Sequence, residues 1–210
     1  QGLGVHGRSF GAAYYPDLDT SVLAEAEVDW RQVDADALGA LAARVRADAA
    51  CPPAVRAQLV GPDIDWADLH PTLLARSPAY RSLMQALRRQ MNRLAPSAAL
   101  AGVYAQVDGA RGVWKAPANV ALAAVVAPVV AISNAQQQDL NLSPTGISVN
   151  ALRSFVGEGV LVWGARTLDG NSLDGRYVNV RRTLTMIERS ARQAMQALAM
   201  PLARAAVDSE

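Results

Sequence analysis

Apolar side chains recur along this chain at two spacings, one helical and one extended. Leu38, Leu41, Ala42 and Val45 fall three or four apart behind Asp34 or Asp36, either of which can cap a helix that Cys51-Pro52-Pro53 stops. A short helix is predicted over residues 54–60, closed by Gly61-Pro62. Ser77 followed by Pro78 opens a better marked one, whose stripe is Tyr80, Leu83, Met84, Leu87, Met91 and Leu94, ending at Ala95-Pro96. Ser97 caps the next, with Leu100, Val103, Tyr104 and Val107 on one face before Asp108-Gly109. Val149, Leu152, Phe155 and Val156 predict a short helix capped by Ser148 and terminated by Gly157 and Gly159. Leu184, Ile187, Ala191, Ala194, Met195 and Leu198 predict a last one, ended by Pro201, with Glu188 placed four residues before Arg192 on its other face.

Extended segments are fewer. Residues 12–15 read as a short buried strand running into Pro16, and Val125-Val126 and residues 129–132 as β-branched pieces split by Pro128. Residues 160–165 are apolar on both alternating faces, as a central strand is, and residues 177–180 read as another strand after the turn cluster Asp169-Gly170-Asn171-Ser172. Residues 17–36 and the stretch through Asp65, Trp66 and His70 show no period and are expected to be loop and surface connection. The fold class that follows is α+β, a small mixed β-sheet packed with several helices. Residues 1–76 are expected to form an N-terminal strand plus a looser helical and loop region, and residues 77–210 the core domain, to which residues 1–20 can also belong.

Composition narrows the function. Of the 210 residues 51% are hydrophobic, enough for a real core, while only 5% are aromatic, so helices packing through small and aliphatic side chains are expected. The formal net charge of +1 supplies no field that would hold a nucleic acid or an anionic membrane. Cys51 is the only cysteine, which excludes an intrachain disulfide and a Cys-based zinc site built from this chain alone. Residues 1–15 lack the features of a signal peptide, and residues 120–132 fall short of the roughly 20 that span a bilayer. Synthesis in the cytoplasm with no membrane insertion is the expectation.

The candidate chemical motifs are incomplete. Gly157 and Gly159 stand after a predicted helix and before a strand, the reverse of the dinucleotide-binding order. Asp169, Asn171 and Asp174 resemble the start of a calcium loop, but Leu173, Asp174 and Val180 occupy positions that need a ligand, a glycine and a glutamate. His6 and His70 lie far apart with no metalloprotease spacing, and Cys51 has no partner histidine placed by sequence. Arg88-Arg89 and Arg181-Arg182 could bind phosphate, but the nearby acids favour a solvated face or ion pairs. No catalytic, cofactor-binding or metal residue is assigned, no cofactor is expected, and the protein is not expected to be an enzyme.

Longer motifs say more. The run from Ala95-Pro96-Ser97 through Ala101-Gly102-Val103-Tyr104-Ala105, then Asp108, Arg111-Gly112-Val113-Trp114-Lys115-Ala116-Pro117-Ala118-Asn119, Gly146-Ile147-Ser148-Val149-Asn150, Gly157-Glu158-Gly159-Val160-Leu161-Val162-Trp163-Gly164-Ala165-Arg166-Thr167-Leu168 and Arg176-Tyr177-Val178-Asn179-Val180-Arg181-Arg182 resembles, in that order, contractile tail sheath proteins. The match spans roughly residues 77–190, Ala12 to Pro16 resembles the strand that precedes this region, and Leu168-Asp169-Gly170-Asn171-Ser172 resembles the variant in sheaths of extracellular contractile injection systems. The resemblance implies a tail-sheath C-terminal-domain-like fold in a structural subunit. Such a subunit stacks around an inner tube, exchanges β-strands with copies of itself, and contracts to drive the tube through a target envelope. Its partners would be its own copies, the inner tube protein, and baseplate and cap proteins, in a phage tail-like particle. The alternative is a non-contractile cap, baseplate or adaptor subunit of the same apparatus. Gly175 departs from the usual tryptophan, and the family continues past the helix ending near Met200, which implies a truncated chain or a divergent paralogue. An N-terminal arm would also precede Gln1. Trp163, Phe155 and Tyr177 are expected in the core, and Arg166, Arg176, Arg181 and Arg182 in ion pairs either between subunits or within the domain.

Overall fold

The computed structural model describes residues 5–61, 63–141 and 144–207, with side chains of 7–61, 63–141 and 144–198. The chain is α+β and divides into two compact units, Leu18–Leu94 on the one hand and Gln1–Asp17 with Ala95–Glu210 on the other.

The unit Leu18–Leu94 is helical. Its helices are α1 (Ala35–Arg46), α2 (Pro53–Gln58), α3 (Trp66–Arg76) and α4 (Pro78–Met91). Asp34 caps α1 by accepting from the Asp36 amide, and Ser77 caps α4 by accepting from the Tyr80 amide, with Pro78 in the first turn where no amide donor is needed. Their apolar faces converge: Val45, Leu59, Leu73 and Tyr80 are essentially inaccessible, with Cys51, Trp66, Leu69 and Met84 around them. Each such side chain contributes about 1.5–3 kcal/mol by burial. Helix α3 replaces the surface connection expected from sequence. Pro71 inside it removes one backbone donor and masks the pattern, but the Asp65 cap and the burial of Trp66, Leu69 and Leu73 hold the helix. Helix α4, grouped by sequence with the C-terminal region, packs here on α1 and α3. Two short strands, β2 (Leu18–Thr20) and β3 (Arg93–Leu94), pair antiparallel, so part of the segment expected as loop is extended.

The second unit carries strand β1 (Tyr14–Tyr15), helix α5 (Ser97–Arg111), strand β4 (Val125–Pro128), helix α6 (Asn134–Asn141), strands β5 (Asn150–Phe155) and β6 (Gly159–Trp163), and the 30-residue helix α7 (Val178–Val207). The sheet order is β1-β5-β6, with β1 parallel to β5 and β5 antiparallel to β6, a small mixed sheet. Beyond β6 the segment 119–122 adds backbone hydrogen bonds to Val160 and Val162, so β6 is flanked on both sides, as its two-faced apolar character requires. Leu100, Val103 and Val107 of α5 and Leu152, Val160, Leu161 and Val162 of the sheet are buried.

Several sequence expectations fail in this unit. The helix expected after Ser148 is strand β5, and Gly157 and Gly159, both at positive φ (82° and 79°), shape the β5–β6 hairpin where a helix C-cap was expected. The strand expected at 177–180 is the first turn of α7, preceded by a single bridge between Arg166 and Tyr177. Helix α7 also runs through Pro201 to Val207. Helix α5 begins at Ser97 with Pro96 as its N-cap residue and runs on to Arg111, where Gly112 at φ 87° turns the chain out.

Candidate assembly surface

A buried asparagine ties three separate chain segments together at the sheet. Asn150, fully inaccessible at the start of β5, donates from Nδ2 to the carbonyls of Ala13 (3.1 Å) and Arg166 (2.8 Å), and its Oδ1 accepts from the Arg166 amide (2.7 Å). The polar capacity of a buried amide is thereby used by backbone groups, the Arg166 amide and carbonyl and the Ala13 carbonyl, which also accepts from the Asn150 backbone amide at 2.9 Å. Gly164 lies against it so closely that a Cβ there would sit 2.7 Å from Asn150 Oδ1. The turn after β6 is pinned as well: Thr167 Oγ1 donates to Gly175 O at 2.6 Å, the Gly170 amide to Gly146 O at 3.0 Å, and Gly175 N to Ser172 Oγ at 2.9 Å.

Around the start of α7 arginines and aromatic rings interleave. Arg182 donates with both terminal nitrogens to the Asp108 carboxylate of α5, Nη1 to Oδ1 at 2.8 Å, and its guanidinium lies 4.9 Å from the Tyr104 ring centroid. This bidentate pair holds Asp108 below its ordinary carboxylate range and raises Arg182. The Tyr104 and Tyr14 hydroxyls share a 2.7 Å hydrogen bond, and burial pushes both phenols up. Arg181 lies 4.0 Å over Phe10 and 3.8 Å from Glu188, while Arg166 and Arg176 flank the Tyr177 ring at 5.7 and 5.9 Å. Arg181 Nε and Arg166 Nη1 are buried without a hydrogen-bond partner.

Farther along α7 the apolar stripe faces outward. Leu184 is 39% exposed, Ile187 55%, Met195 69% and Leu198 69%. In a helix of this length, four exposed aliphatic side chains in one row form a surface that an isolated subunit leaves wet.

Neither a protein-family model nor a functionally curated protein matches the chain. Solved structures do. The anti-feeding prophage (AFP) baseplate, 6-fold symmetrised, is 44% identical, with a TM-score of 0.46, over 50% of this chain and 28% of that one. The PVC sheath complex of an extracellular contractile injection system in its contracted state is 45% identical, with a TM-score of 0.46 and the same shares. The AFP helical sheath in its contracted state is 45% identical, with a TM-score of 0.45, again over 50% and 28%. This chain is similar to contractile injection system sheath and baseplate chains. It spans little more than a quarter of the length of those chains.

The residues singled out by sequence are distributed as follows. Arg166, Arg176, Arg181 and Arg182 gather around the start of α7 and the turn before it, with Arg182 in an ion pair inside the domain and Arg176 Nε donating to Ser172 O at 2.8 Å. Trp163 and Tyr177, expected in the core, are exposed, and Phe155 is half-buried. Trp163 follows the buried Val162 and so points to the opposite face, where it tilts against Phe155 at 4.6 Å, and Tyr177 is backed by guanidinium groups. Asp169, Asn171 and Asp174 lie in the turn region after β6, and no group of metal-ligating side chains occurs among the described residues. Cys51 is buried, which raises its thiol and disfavours a thiolate. His70 Nδ1 hydrogen-bonds to Tyr80 Oη at 2.7 Å, and the His6 side chain lies outside the described residues. Arg88 donates to Leu23 O at 3.2 Å beside Glu25, and Arg89 to Gln85 O at 3.4 Å, each facing its own unit. No helix among the described residues is long and apolar enough to cross a membrane. Sequence missed Asn150, because nothing local marks an asparagine whose partners lie 137 and 16 residues away.

Proposed function

We propose that this chain is a structural, non-enzymatic sheath subunit of a contractile phage tail-like injection system. It polymerises with copies of itself around an inner tube and contracts to drive the tube through a target envelope. The observation that carries the proposal is the uncovered apolar row of α7, Leu184, Ile187, Met195 and Leu198, on a unit whose residues carry the sheath motifs in order. A polymer can bury such a row between subunits in one packing and repack it in another, and the difference in free energy between the packings drives contraction without a bound nucleotide. The rigid Asn150-centred sheet is suited to move as one body in that exchange. Assembly would follow synthesis in the bacterial cytoplasm, with the inner tube, baseplate and cap as further partners.

Negative-stain electron microscopy of lysates from producing cells with and without the gene tests this. Loss of the sheath from tubes on deletion supports the proposal. Sheaths that persist and contract without the gene product make the chain a cap, baseplate or adaptor subunit.

A further inference from the structure

The exposed row of α7 has a stricter period than packing on a domain requires. Val180, Leu184, Ile187, Ala191, Ala194 and Leu198 follow one another by four, three, four, three and four residues, and all six are exposed. Alternating threes and fours make a heptad seam, narrower than the stripe with which a surface helix covers a globular core. The opposite face of α7 is the one turned to its own domain: Val178 is buried and Arg182 holds Asp108, about half a turn round the helix from the row. The seam is therefore shaped for a second helix.

We infer that in the free, unassembled chain this seam is covered by α7 of a second copy, running antiparallel about a two-fold axis between Leu184 and Ile187. In a two-fold contact residue i meets j while j meets i, so one register fixes every layer. Here Leu184 faces Ile187 of the second copy, Val180 faces its Ala191, and Ala194 faces its Tyr177, which is exposed and stands one residue before the helix. Each alanine meets a larger side chain, so the helices approach without a void. The same register sets Arg181 against Glu188 of the second copy, twice. Sliding by one heptad in one direction sets Glu188 against Glu188, and in the other Arg181 against Arg181, contacts that like charges oppose. A parallel pair stacks alanine on alanine in two layers and leaves Glu188 facing Thr183. Within one chain Arg181 and Glu188 are 3.8 Å apart and the Glu188 side chain is 56% exposed, so pairing across the axis closes a ring of alternating charges and breaks no contact already made. The inference concerns the free chain and is independent of the sheath proposal: a chain that pairs in this way and builds no sheath leaves it standing.

The test is light scattering behind size exclusion on the full chain at about 50 µM, where a contact of micromolar affinity is filled. A single species of twice the chain's mass is expected. Ala191→Glu puts a carboxylate into the Val180 layer from an exposed helical position, so it should leave the circular dichroism unchanged and weaken pairing about tenfold or more. Orientation is read by mild oxidation: Val180→Cys and Ala191→Cys chains should form a disulfide dimer when mixed, and neither should do so alone. Cys51 is buried and stays out of this reaction. The mass of one chain, an open-ended range of larger masses, or pairing unmoved by Ala191→Glu overturns the inference. Disulfide dimers formed by either variant alone, or none formed by the mixture, overturn the antiparallel register. A chain that is single when free yet sheathes tubes in cells overturns this inference and leaves the sheath proposal standing.

Discussion

Asn150 and Arg166 hold each other reciprocally: the side-chain amide of Asn150 donates to the Arg166 carbonyl at 2.8 Å and accepts from the Arg166 backbone amide at 2.7 Å. The pair imitates one rung of a β-ladder, with a side chain in place of the second backbone. Because Nδ2 also reaches Ala13 O, the rung joins the entry to β1, the start of β5 and the exit from β6. Asn150→Leu keeps the volume and strands the Arg166 amide and carbonyl in a dry site, while Ala13 O keeps its 2.9 Å bond from the Asn150 backbone amide, so a loss of about 2–4 kcal/mol is expected in thermal or urea unfolding. A loss below about 0.5 kcal/mol would show that water or a shifted backbone satisfies those groups.

Gly164→Ala tests the same node from the other side. The added Cβ would lie 2.7 Å from Asn150 Oδ1 and 3.3 Å from the Asn150 Cα, which is backbone in a paired strand and cannot retreat as a flexible side-chain end does. A destabilisation of about 1–3 kcal/mol is expected. The double variant Gly164→Ala/Asn150→Ala should lose less than the sum of its singles, since removing the amide opens the space the methyl needs.

The Asp108–Arg182 pair gives the unit an acid limb. Its folded carboxyl sits below the ordinary 3.8 because Arg182 donates to it, so the folded state binds fewer protons than the unfolded state as pH falls. The stabilisation is therefore complete above the unfolded value and is lost as pH drops through the folded one. Asp108→Asn should cost about 1–2 kcal/mol at neutral pH, and the gap from wild type should narrow below about pH 4. A gap that stays constant down to pH 2.5 would mean the ion pair contributes nothing net.

In the helical unit Ser77 has two tasks. Its Oγ accepts from the Tyr80 amide at the start of α4 and donates to Asp48 Oδ2 at 2.8 Å, and the residue is fully buried. Ser77→Ala should lower the stability of this unit by about 1–2 kcal/mol, with Ser77→Thr recovering part of it, measured by calorimetry.

Helix α4 was legible because every local signal agreed: a capping serine, a proline where no donor is needed, and a single apolar stripe. Strand β5 was not. Asn150, Ala151 and Leu152 are buried in succession, so the period of two disappears, and Val149, Leu152, Phe155 and Val156 fall by accident at helical spacing. Pro71 hid α3 in the same way, by adding a local penalty that tertiary burial of Trp66, Leu69 and Leu73 overrides. The motif residues were visible as a pattern, but their division between core and surface was not. Trp163 and Tyr177 carry large apolar area, yet Trp163 follows the buried Val162 in strand β6 and so takes the other face, and Tyr177 sits just before α7 against the guanidinium groups of Arg166 and Arg176.

The assembly proposal makes its own demand on α7. Ile187 and Met195 are more than half exposed, so replacing both by glutamate removes little burial within the chain and should change its unfolding free energy by no more than about 0.5 kcal/mol per site. In a polymer that buries this row between subunits, the same two carboxylates would be desolvated without partners, at a cost of several kcal/mol per interface. Cells carrying Ile187→Glu/Met195→Glu should therefore make soluble, folded chain and no sheathed tubes, scored by circular dichroism of the purified protein and by electron microscopy of the lysate. Normal sheaths built from this variant would remove the α7 row from the interface, and the argument that carries the assembly proposal with it. A variant that unfolds would instead place the row inside the subunit, against the exposure of these side chains.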